Sequence, residues 1–232
     1  GAFVIVAGDI QIVDTIFESW DEELNARAYR TYIDKKKFRP FLTAWSGGSI
    51  DAVGSTIFGL GYLSGKSYGL SMSAGPATIM KNRPIWEDGP TGRLIENSLH
   101  NMFYAYYAYE AVDADITGNE LVDNIVYGLD PHDRAQRLMM AFNTGYDTHE
   151  KHGLIISREV DHSWMIGNVS FRNTGSGYML DRDSVDTLLY ANSGFHNVQD
   201  GMSFFESSCN IIAANWLFDN QRDGIKIRNS WN

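Results

Sequence analysis

Residues 127–158 read YGLDPHDRAQRLMMAFNTGYDTHEKHGLIISR and span one full unit of a repeat that continues along the chain. The unit runs from Gly128 to Gly153, and Asn143 lies between the two glycines. The same stretch concentrates titratable side chains, with His132 set between two carboxylates. It therefore predicts a fold built from stacked copies of one short unit, with a functional site on that unit.

The spacing of the repeat is regular over the second half of the chain. Glycines followed by alternating apolar residues recur at steps of 25, 24, 24 and 23, at Gly128, Gly153, Gly177, Gly201 and Gly224. An asparagine precedes each glycine by nine or ten residues, at Asn119, Asn143, Asn168, Asn192 and Asn215. Earlier copies are predicted to run from Asn97 through the tyrosine-rich segment and to end at Tyr68-Gly69. The general preference of asparagine for turns does not explain five in register.

Units of about 23–25 residues, with about three short strands each and no helical periodicity, predict an all-β parallel β-helix solenoid. Each coil would turn its apolar side chains inward and stack its strands on the next coil. The asparagines would then form a buried ladder that bonds backbone groups at a turn. A leucine-rich repeat would need a denser leucine pattern, and a propeller would need longer blades.

The remainder of the chain fits a single β-helix domain over residues 1–232. Residues 2–17 alternate β-branched and polar residues, as short strands joined by a tight turn do. Residues 18–40 are predicted to be a solvated excursion, and residues 73–92, with three of the five prolines, a long loop. Because the sequence starts directly in strand-like residues, we expect a trimmed or mature fragment whose natural beginning lies upstream.

Composition argues against several classes of function and site. The net charge of −10, without a long basic run, argues against a nucleic-acid partner, although a local cationic cluster could still bind a polyanion. Cys209 is alone, so neither a disulfide framework nor a thiolate metal site is predicted. No stretch has the length of a membrane span, and no signal peptide is visible, so we predict no membrane insertion.

Register along the strands predicts which side chains face outward. In the strand after each glycine, the first and third positions should point inward. This inward set is Leu129, Pro131, Leu154, Ile156, Met202, Phe204, Ile225 and Ile227. The set predicted to face solvent is Ser71, Ser73, Asp130, His132, Ser157, Asp181, Ser203, Phe205, Lys226 and Arg228, with Arg158 and Arg182 one step further, at the turn. His132 and Arg158 should therefore be neighbours on a groove that suits an extended polymer.

Several motifs resemble those of one enzyme family. They are Arg39-Pro40-Phe41-Leu42, Lys66-Ser67-Tyr68-Gly69, residues 127–133 (YGLDPHD), residues 151–160 (KHGLIISREV) and residues 224–230 (GIKIRNS). This combination resembles the periplasmic mannuronan C5-epimerases of alginate biosynthesis over nearly the whole chain. The resemblance implies a right-handed parallel β-helix that converts β-D-mannuronate to α-L-guluronate within polymannuronate or alginate. It also implies a periplasmic location, with alginate export-complex proteins as candidate partners.

The chain departs from the family pattern in three respects. It is shorter than a full-length member of the family, Phe205 stands where the family has tyrosine, and Ala108 is atypical within its tyrosine-rich run. The phenylalanine would remove one hydroxyl from the groove. These departures bear on fine specificity and processivity more than on the reaction.

C5 epimerisation removes a carbon-bound proton beside a carboxylate and returns one from the opposite face, so the carboxylate must first be neutralised. The resemblance assigns that role to Arg158, as a bidentate partner; the alternative is a surface arginine paired with Glu159 or Asp133. His132 is the candidate base, and Asp130, two residues earlier on the same face, is expected to orient its ring. The alternative is a surface histidine held by its flanking acids.

The remaining candidates surround this pair. Tyr127 is the candidate proton donor; the alternatives are a water molecule, or a structural role for Tyr127 in a stack with Tyr68. Candidate contacts to neighbouring uronates are Asp133, Arg134, Lys66, Lys151, His152, Asp181 and Arg182. Neither an EF-hand loop nor calcium-binding nonapeptide repeats are found, and we predict no metal and no cofactor. Two other functions stay open: a polysaccharide lyase of the same fold, and a non-catalytic β-helix that binds polysaccharide.

Overall fold

The computed structural model describes residues 3–74 and 89–231, and its regular secondary structure consists of short β-strands joined by turns, with one 3-10 helix at Tyr32–Asp34. The first nine strands are β1 (Val4–Val6), β2 (Asp9–Val13), β3 (Ile16–Glu18), β4 (Trp20–Asp21), β5 (Ala26–Arg27), β6 (Leu42–Trp45), β7 (Ser49–Val53), β8 (Thr56–Phe58) and β9 (Gly69–Ser73). The next nine are β10 (Thr91–Ile95), β11 (Ser98–His100), β12 (Tyr104–Tyr109), β13 (Asp115–Thr117), β14 (Glu120–Val122), β15 (Tyr127–His132), β16 (Met139–Ala141), β17 (Thr144–Tyr146) and β18 (Leu154–Ser157). The last nine are β19 (Trp164–Ile166), β20 (Val169–Phe171), β21 (Tyr178–Asp181), β22 (Leu188–Tyr190), β23 (Ser193–Phe195), β24 (Met202–Phe205), β25 (Ile211–Ala213), β26 (Trp216–Phe218) and β27 (Ile225–Arg228).

Three parallel sheets run along the molecule, and each coil contributes one strand to each sheet. Sheet A has nine strands, in the order β1-β6-β9-β12-β15-β18-β21-β24-β27. Sheet B has eight, from β2 to β25, and sheet C has eight, from β3 to β26. Only the hairpin of β4 and β5 is antiparallel among the described strands. This arrangement is a parallel β-helix, and the predicted fold is confirmed.

The interior follows the predicted register. Leu129, Leu154 and Phe204 are at most 2% exposed and belong to one continuous core. Ile225 and Ile227 are 46% and 59% exposed, although they were predicted to point inward. They lie on β27, which is the last strand of sheet A and has a neighbour on one side only. The core is therefore covered along its length and open at this end of the described structure.

The predicted asparagine ladder is present. Side-chain amides bond from coil to coil at 2.9–3.0 Å through Asn97, Asn119, Asn143, Asn168, Asn192 and Asn215. From Asn119 onward, each Oδ1 also accepts the backbone N–H of the asparagine in the preceding coil, as Asn168 does from Asn143 at 2.9 Å. The ladder thus satisfies backbone groups that the turn between sheets B and C would otherwise bury unpaired.

A second ladder was not foreseen. Asn173, Asn197 and Asn220 are linked by amide bonds of 2.9 and 3.0 Å, five residues after members of the first ladder. These amides lie against three of the recurrent glycines, Gly153, Gly177 and Gly201. A side chain at Gly177 would place its Cβ 2.8 Å from Nδ2 of Asn197, closer than real side chains approach. At these three positions the absence of a side chain makes room for the second ladder.

The excursion at residues 18–40 is mostly exposed or half-buried, as predicted, and only Ser19, Ala28 and Arg39 are buried in it. Arg39 is 1% exposed, and its guanidinium donates hydrogen bonds to Oδ1 of Asn101 at 2.8 Å and to the carbonyl of Gly61 at 3.0 Å. Burial lowers the pKa of Arg39 to about 9. This buried cation ties the excursion to the β-helix. The predicted loop at residues 73–92 lies largely outside the described residues. No helix in the described part of the chain is long and apolar enough to cross a bilayer.

Candidate active site

The outer face of sheet A carries the predicted functional residues in two columns. Strand pairing aligns His132 with Ser157, Ser157 with Asp181, and Asp181 with Phe205. The parallel column, two positions earlier in each strand, contains Asp130. Because side chains alternate across a strand, both columns point away from the core. The repeat thus brings residues that are 24 or 25 positions apart into contact distance.

A cleft of about 320 Å³ opens on these columns. Six of the predicted site residues line it: Tyr127, Asp130, His132, Arg158, Asp181 and Arg182. The other lining residues are Tyr68, Tyr104, Tyr107, Ile155 and Ser157. Five predicted residues, Asp133, Arg134, Lys66, Lys151 and His152, do not line the cleft itself. The prediction that His132 and Arg158 share one surface is confirmed by this geometry.

The imidazole of His132 is held by Asp133 rather than by Asp130. Nδ1 of His132 lies 2.6 Å from Oδ2 of Asp133, and the ring is 17% exposed. Burial alone would raise the pKa of Asp133, but its bond to His132 and the nearby cations hold that pKa below the ordinary value. An ionised Asp133 accepts the Nδ1 hydrogen, so the unprotonated nitrogen of a neutral ring is Nε2. The expected orienting role of Asp130 is therefore corrected.

Asp130 is buried, although its position in the strand points outward. Its side chain is 2% exposed, and Oδ1 has no hydrogen-bond partner among the described residues. Burial raises the pKa of Asp130 to about 7. Ser71, Ser73 and Ser157 were also predicted to face solvent and are 2% exposed or less. Alternation gave the correct face of the sheet, but neighbouring side chains cover these positions.

A wall of tyrosines covers Asp130. Strand pairing sets Tyr107 beside Asp130 and Tyr104 beside Tyr127. The ring centroid of Tyr104 lies 4.9 Å from that of Tyr68 and 5.0 Å from that of Tyr127. Burial, followed by the charge of Asp130, raises the pKa of Tyr104, Tyr107 and Tyr127 well above the ordinary value, so their hydroxyls stay protonated. Tyr104 and Tyr107 were missed, although the YAYYAY run lies one coil before the predicted base.

The arginines of the cleft come from the turn that follows each strand of sheet A. Arg158 and Arg182 have φ of 63° and 52°, and Asp133, in the coil before Arg158, has φ of 43°. Nη1 of Arg158 lies 3.8 Å from Oδ1 of Asp133, and 49% of its side chain is exposed. This loose pairing leaves the guanidinium accessible from the cleft. Arg182 is held more closely, with Nε 3.4 Å from Oδ2 of Asp181.

Lys66 lies behind the tyrosine wall. Its Nζ donates to the hydroxyl of Tyr107 at 3.1 Å and sits 3.2 Å from the ring centroid of Tyr109. Burial lowers the pKa of Lys66 to about 8. Lys66 therefore does not line the cleft itself. It acts on the cleft indirectly, because it orients the hydroxyl of Tyr107, which does line it.

The other predicted contacts have different surroundings. Arg134 forms an ion pair with Glu110, whose side chain is 2% exposed, and does not reach the cleft. Lys151 is exposed. His152 stacks on Tyr127 with centroids 6.0 Å apart, and its Nδ1 accepts the N–H of Ser176 at 2.9 Å. Burial lowers the pKa of His152 to about 4, so this ring is neutral near pH 7.

The cleft combines an oriented imidazole, an accessible guanidinium and protonated phenols around one opening. Such a set can neutralise a carboxylate, remove a proton from the adjacent carbon and supply a proton from another direction. Among the described residues, no group of three or more His, Cys, Asp or Glu side chains is arranged to hold a metal ion.

Comparison with known proteins gives close relatives. The chain is 42% identical over 232 residues to a mannuronan C5-epimerase of Pseudomonas putida, covering 100% of this chain and 44% of that protein. It is 40% identical to the mannuronan C5-epimerase AlgG of Azotobacter vinelandii, over 100% of this chain and 43% of that protein. A crystal structure of the periplasmic alginate epimerase AlgG superposes with a TM-score of 0.92 at 40% identity, over 98% of this chain and 53% of that one. The chain thus spans less than half the length of these curated relatives, and no family model matches it.

Proposed function

This chain is a homologue of the mannuronan C5-epimerases over its whole length, and we propose that it catalyses the same reaction. The substrate is the β-D-mannuronate of an alginate chain, and the product is α-L-guluronate within the same chain. The observation that carries the proposal is the cleft in which His132 and Arg158 meet. The cleft lies on the outer face of sheet A, whose strands continue on either side of it, so an extended polymer can run across it.

The first chemical step needs a neutralised carboxylate and a base. The guanidinium of Arg158 binds the C6 carboxylate, which lowers the cost of placing negative charge on it when C5 loses its proton. Nε2 of His132 accepts that proton, and the electron pair of the C5–H bond moves towards the carboxylate. Asp133 stabilises the resulting imidazolium through Nδ1. Asp130, two residues away on the same face, adds negative charge near the ring when it is ionised.

The second step returns a proton to the opposite face of C5. Tyr127 is the proposed donor, because burial keeps its hydroxyl protonated and it lines the same cleft. Its phenolate then recovers a proton from the imidazolium through solvent, so no net proton is consumed. A water molecule in the place of Tyr127 would give the same balance. Tyr127→Phe separates the two, because the phenylalanine variant keeps its activity only when water is the donor.

The two other functions are distinguished by the fate of the intermediate. A lyase would expel the O4 substituent, leaving unsaturated uronate ends, and a binding module would leave the polymer unchanged. We expect incubation with polymannuronate in deuterated water to place deuterium at C5 of newly formed guluronate, read by NMR, without shortening the chains. Unsaturated ends without guluronate would favour the lyase, and an unaltered polymer would favour the binding module.

The cellular setting is part of the same proposal. A periplasmic location is supported by the solved structures that this chain resembles, which are named as periplasmic alginate epimerases. Association with alginate export-complex proteins is proposed from the family resemblance. Fractionation of cells that carry the gene, followed by co-purification with the native protein, tests both points.

A further inference from the structure

Lys66 is a charged side chain with no part in the reaction steps described above. It lies in the turn before β9, and its backbone has φ of 64°, a region that residues with a side chain rarely adopt. The turn is closed by hydrogen bonds from the N–H of Tyr62 to the carbonyl of Ser67 at 2.9 Å and from the N–H of Ser67 to the carbonyl of Ser64 at 3.3 Å. The fold therefore holds Lys66 in a fixed place, although its backbone conformation is unfavourable.

The ammonium of Lys66 rests against two rings of β12. Its Nζ donates to the hydroxyl of Tyr107 at 3.1 Å and lies 3.2 Å from the ring centroid of Tyr109. Strand pairing sets Tyr107 beside Asp130 and Tyr109 beside His132. The cation therefore contacts the two side chains that flank the candidate base and its neighbouring carboxyl in the preceding coil.

The hydrogen bond from Lys66 determines where the hydroxyl of Tyr107 can donate. An ammonium group has hydrogens but no lone pair, so the oxygen of Tyr107 is the acceptor. The hydroxyl keeps its own hydrogen, because burial, followed by the charge of Asp130, raises the pKa of Tyr107 well above the ordinary value. No described residue accepts that hydrogen, and Tyr107 lines the cleft. The hydrogen is therefore available to a bound substrate.

We propose that Lys66 is a positioning residue of the epimerisation, which turns the hydroxyl hydrogen of Tyr107 towards the reacting uronate. This role rests on the proposed function. The ring centroid of Tyr107 lies 5.7 Å from that of His132, so Tyr107 stands beside the base that removes the C5 proton. Negative charge develops on the uronate in that step, and a preorganised donor stabilises the charged transition state more than the bound substrate. Tyr107 thus contacts the substrate, and Lys66 acts through it.

The same hydrogen bond makes the role of Lys66 depend on pH. The titratable and charged groups around its ammonium, among the described residues, are Tyr107, Tyr109, Asp130, Asp133, Arg134 and Arg158. Burial lowers the pKa of Lys66 to about 8. Below that pH the ammonium donates to Tyr107. Above it the neutral amine has a lone pair and can accept the hydroxyl hydrogen, which then points away from the cleft. Turnover should therefore fall as the pH rises through about 8.

A double-mutant cycle tests whether Lys66 acts through Tyr107. We expect Lys66→Met and Tyr107→Phe each to lower kcat on polymannuronate about tenfold and to leave KM nearly unchanged. The double variant should lose no more than either single variant, because both substitutions remove the same hydrogen bond. Lys66→Arg, whose guanidinium can also donate to the hydroxyl, should recover part of the lost kcat.

The matched control is Lys36→Met, which removes an exposed lysine from the excursion and should change neither kcat nor KM. Thermal melting of each variant verifies folding. A raised KM with the native kcat would make Lys66 a direct contact to a uronate, and losses that add in the double variant would mean that Lys66 acts independently of Tyr107. Either result would overturn the inference.

The pH profile tests the inference without a change at Lys66. The kcat of the native protein should fall above about pH 8, and Tyr107→Phe should lack this fall because it has no hydroxyl hydrogen to redirect. An identical fall in both proteins would contradict the proposed role.

A readout that needs no turnover separates this inference from the proposed function. In protein labelled with carbon-13 at Cζ of tyrosine, the NMR resonance that is lost in Tyr107→Phe belongs to Tyr107. We expect it to move when a mannuronate trimer is added, and to move clearly less in Lys66→Met. That result supports the role of Lys66 even when the deuterium experiment detects no guluronate. Conversely, deuterated guluronate formed by Lys66→Met at the native rate supports the epimerase and overturns the inference.

Discussion

The asparagine ladder and the cleft both bury polar side chains, but they differ in whether those side chains are hydrogen-bonded. In the asparagine ladder, the buried amide of Asn168 makes four hydrogen bonds, to Met140, to Asn192 and twice to Asn143. In the cleft, Asp130 is buried just as deeply, yet its Oδ1 has no hydrogen-bond partner among the described residues. Asn168 in the ladder therefore has all its hydrogen bonds made within the protein, whereas Asp130 in the cleft does not.

This difference in hydrogen bonding indicates that the ladder residues serve stability and the cleft residues serve function. A buried polar atom that lacks a partner costs about 1–3 kcal/mol, so a chain under selection for stability alone would pair it or remove it. The ladder follows this rule over six coils. The cleft retains an unpaired carboxyl, whose cost a bound proton or substrate can relieve. Changes in the ladder should therefore affect folding, and changes in the cleft should affect turnover.

The largest effect is expected for His132→Ala. Loss of the base should lower turnover by about a thousandfold, while polymer binding and the melting temperature stay nearly unchanged because the ring lies outside the core. Guluronate formation by NMR and thermal melting measure the two properties. The control is His162→Ala, an exposed histidine paired with Asp161 in the following coil. Retention of more than a few per cent of the activity by His132→Ala would assign the base to another residue.

The next effect is expected for Asn168→Leu, which removes four hydrogen bonds at once. The neighbouring groups would stay buried without partners, and the free energy of unfolding should fall by about 4 kcal/mol. Asn215→Leu is the matched control at the last rung, where the side chain is only partly buried, and it should cost clearly less. Urea unfolding measures both variants. Equal losses would mean that the ladder does not act through buried hydrogen bonds.

A smaller, pH-dependent effect is expected for Asp130→Asn. The ordinary pKa of 3.8 rises to about 7 in the folded protein, so folding takes up a proton between these values. This carboxyl therefore makes stability fall as the pH rises from about 4 to 7, by about 3 kcal/mol at most. The asparagine variant should lack this decrease.

The measurement is urea unfolding of both proteins across that pH range. His152 acts in the opposite direction, because its lowered pKa of about 4 makes stability rise with pH below its ordinary value of 6.5. Its contribution is common to both proteins and cancels in their difference. Parallel stability curves for the two proteins would contradict the buried, unpaired state of Asp130.

The smallest effect is expected for Arg134→Gln, which tests a residue at the border of the two regions. Its partner Glu110 is buried, so the loss of the ion pair should destabilise the fold. The cost should be roughly 1–2 kcal/mol, since 40% of the arginine side chain is exposed. The KM for polymannuronate should not change. A raised KM with normal stability would return Arg134 to the substrate contacts first predicted.

Most of the scaffold could be predicted from the spacing of a few residues. The asparagine and glycine columns identified the coils, and alternation after Gly128 and Gly153 assigned the faces of the strands correctly. The family resemblance, drawn from motifs spread between Arg39 and Ser230, is confirmed by relatives that are 40–42% identical over the whole chain. The second ladder could also have been found, because Asn173, Asn197 and Asn220 follow the first ladder at a constant interval of five residues.

Other features of the site could not be predicted from alternation. Asp133, Arg134 and Arg158 lie in turns with positive φ, where the two-residue period of a strand no longer sets the direction of a side chain. Their partners could therefore not be predicted from the sequence. In the structure Asp133 pairs with His132, and Arg134 pairs with Glu110. The burial of Asp130 depends on tyrosines supplied by another coil, which its own strand does not reveal.

The sequence by itself determined the period of the solenoid, the inward and outward faces of its strands and the meeting of His132 with Arg158 in adjacent coils. These follow from a one-dimensional repeat, in which each coil contacts only its neighbours and the spacing of residues dictates what stacks on what. Only the tertiary structure decided which carboxylate holds the imidazole and how deeply Asp130 is covered. Those properties depend on turn geometry and on side chains that converge from several coils, and no spacing along the chain encodes them.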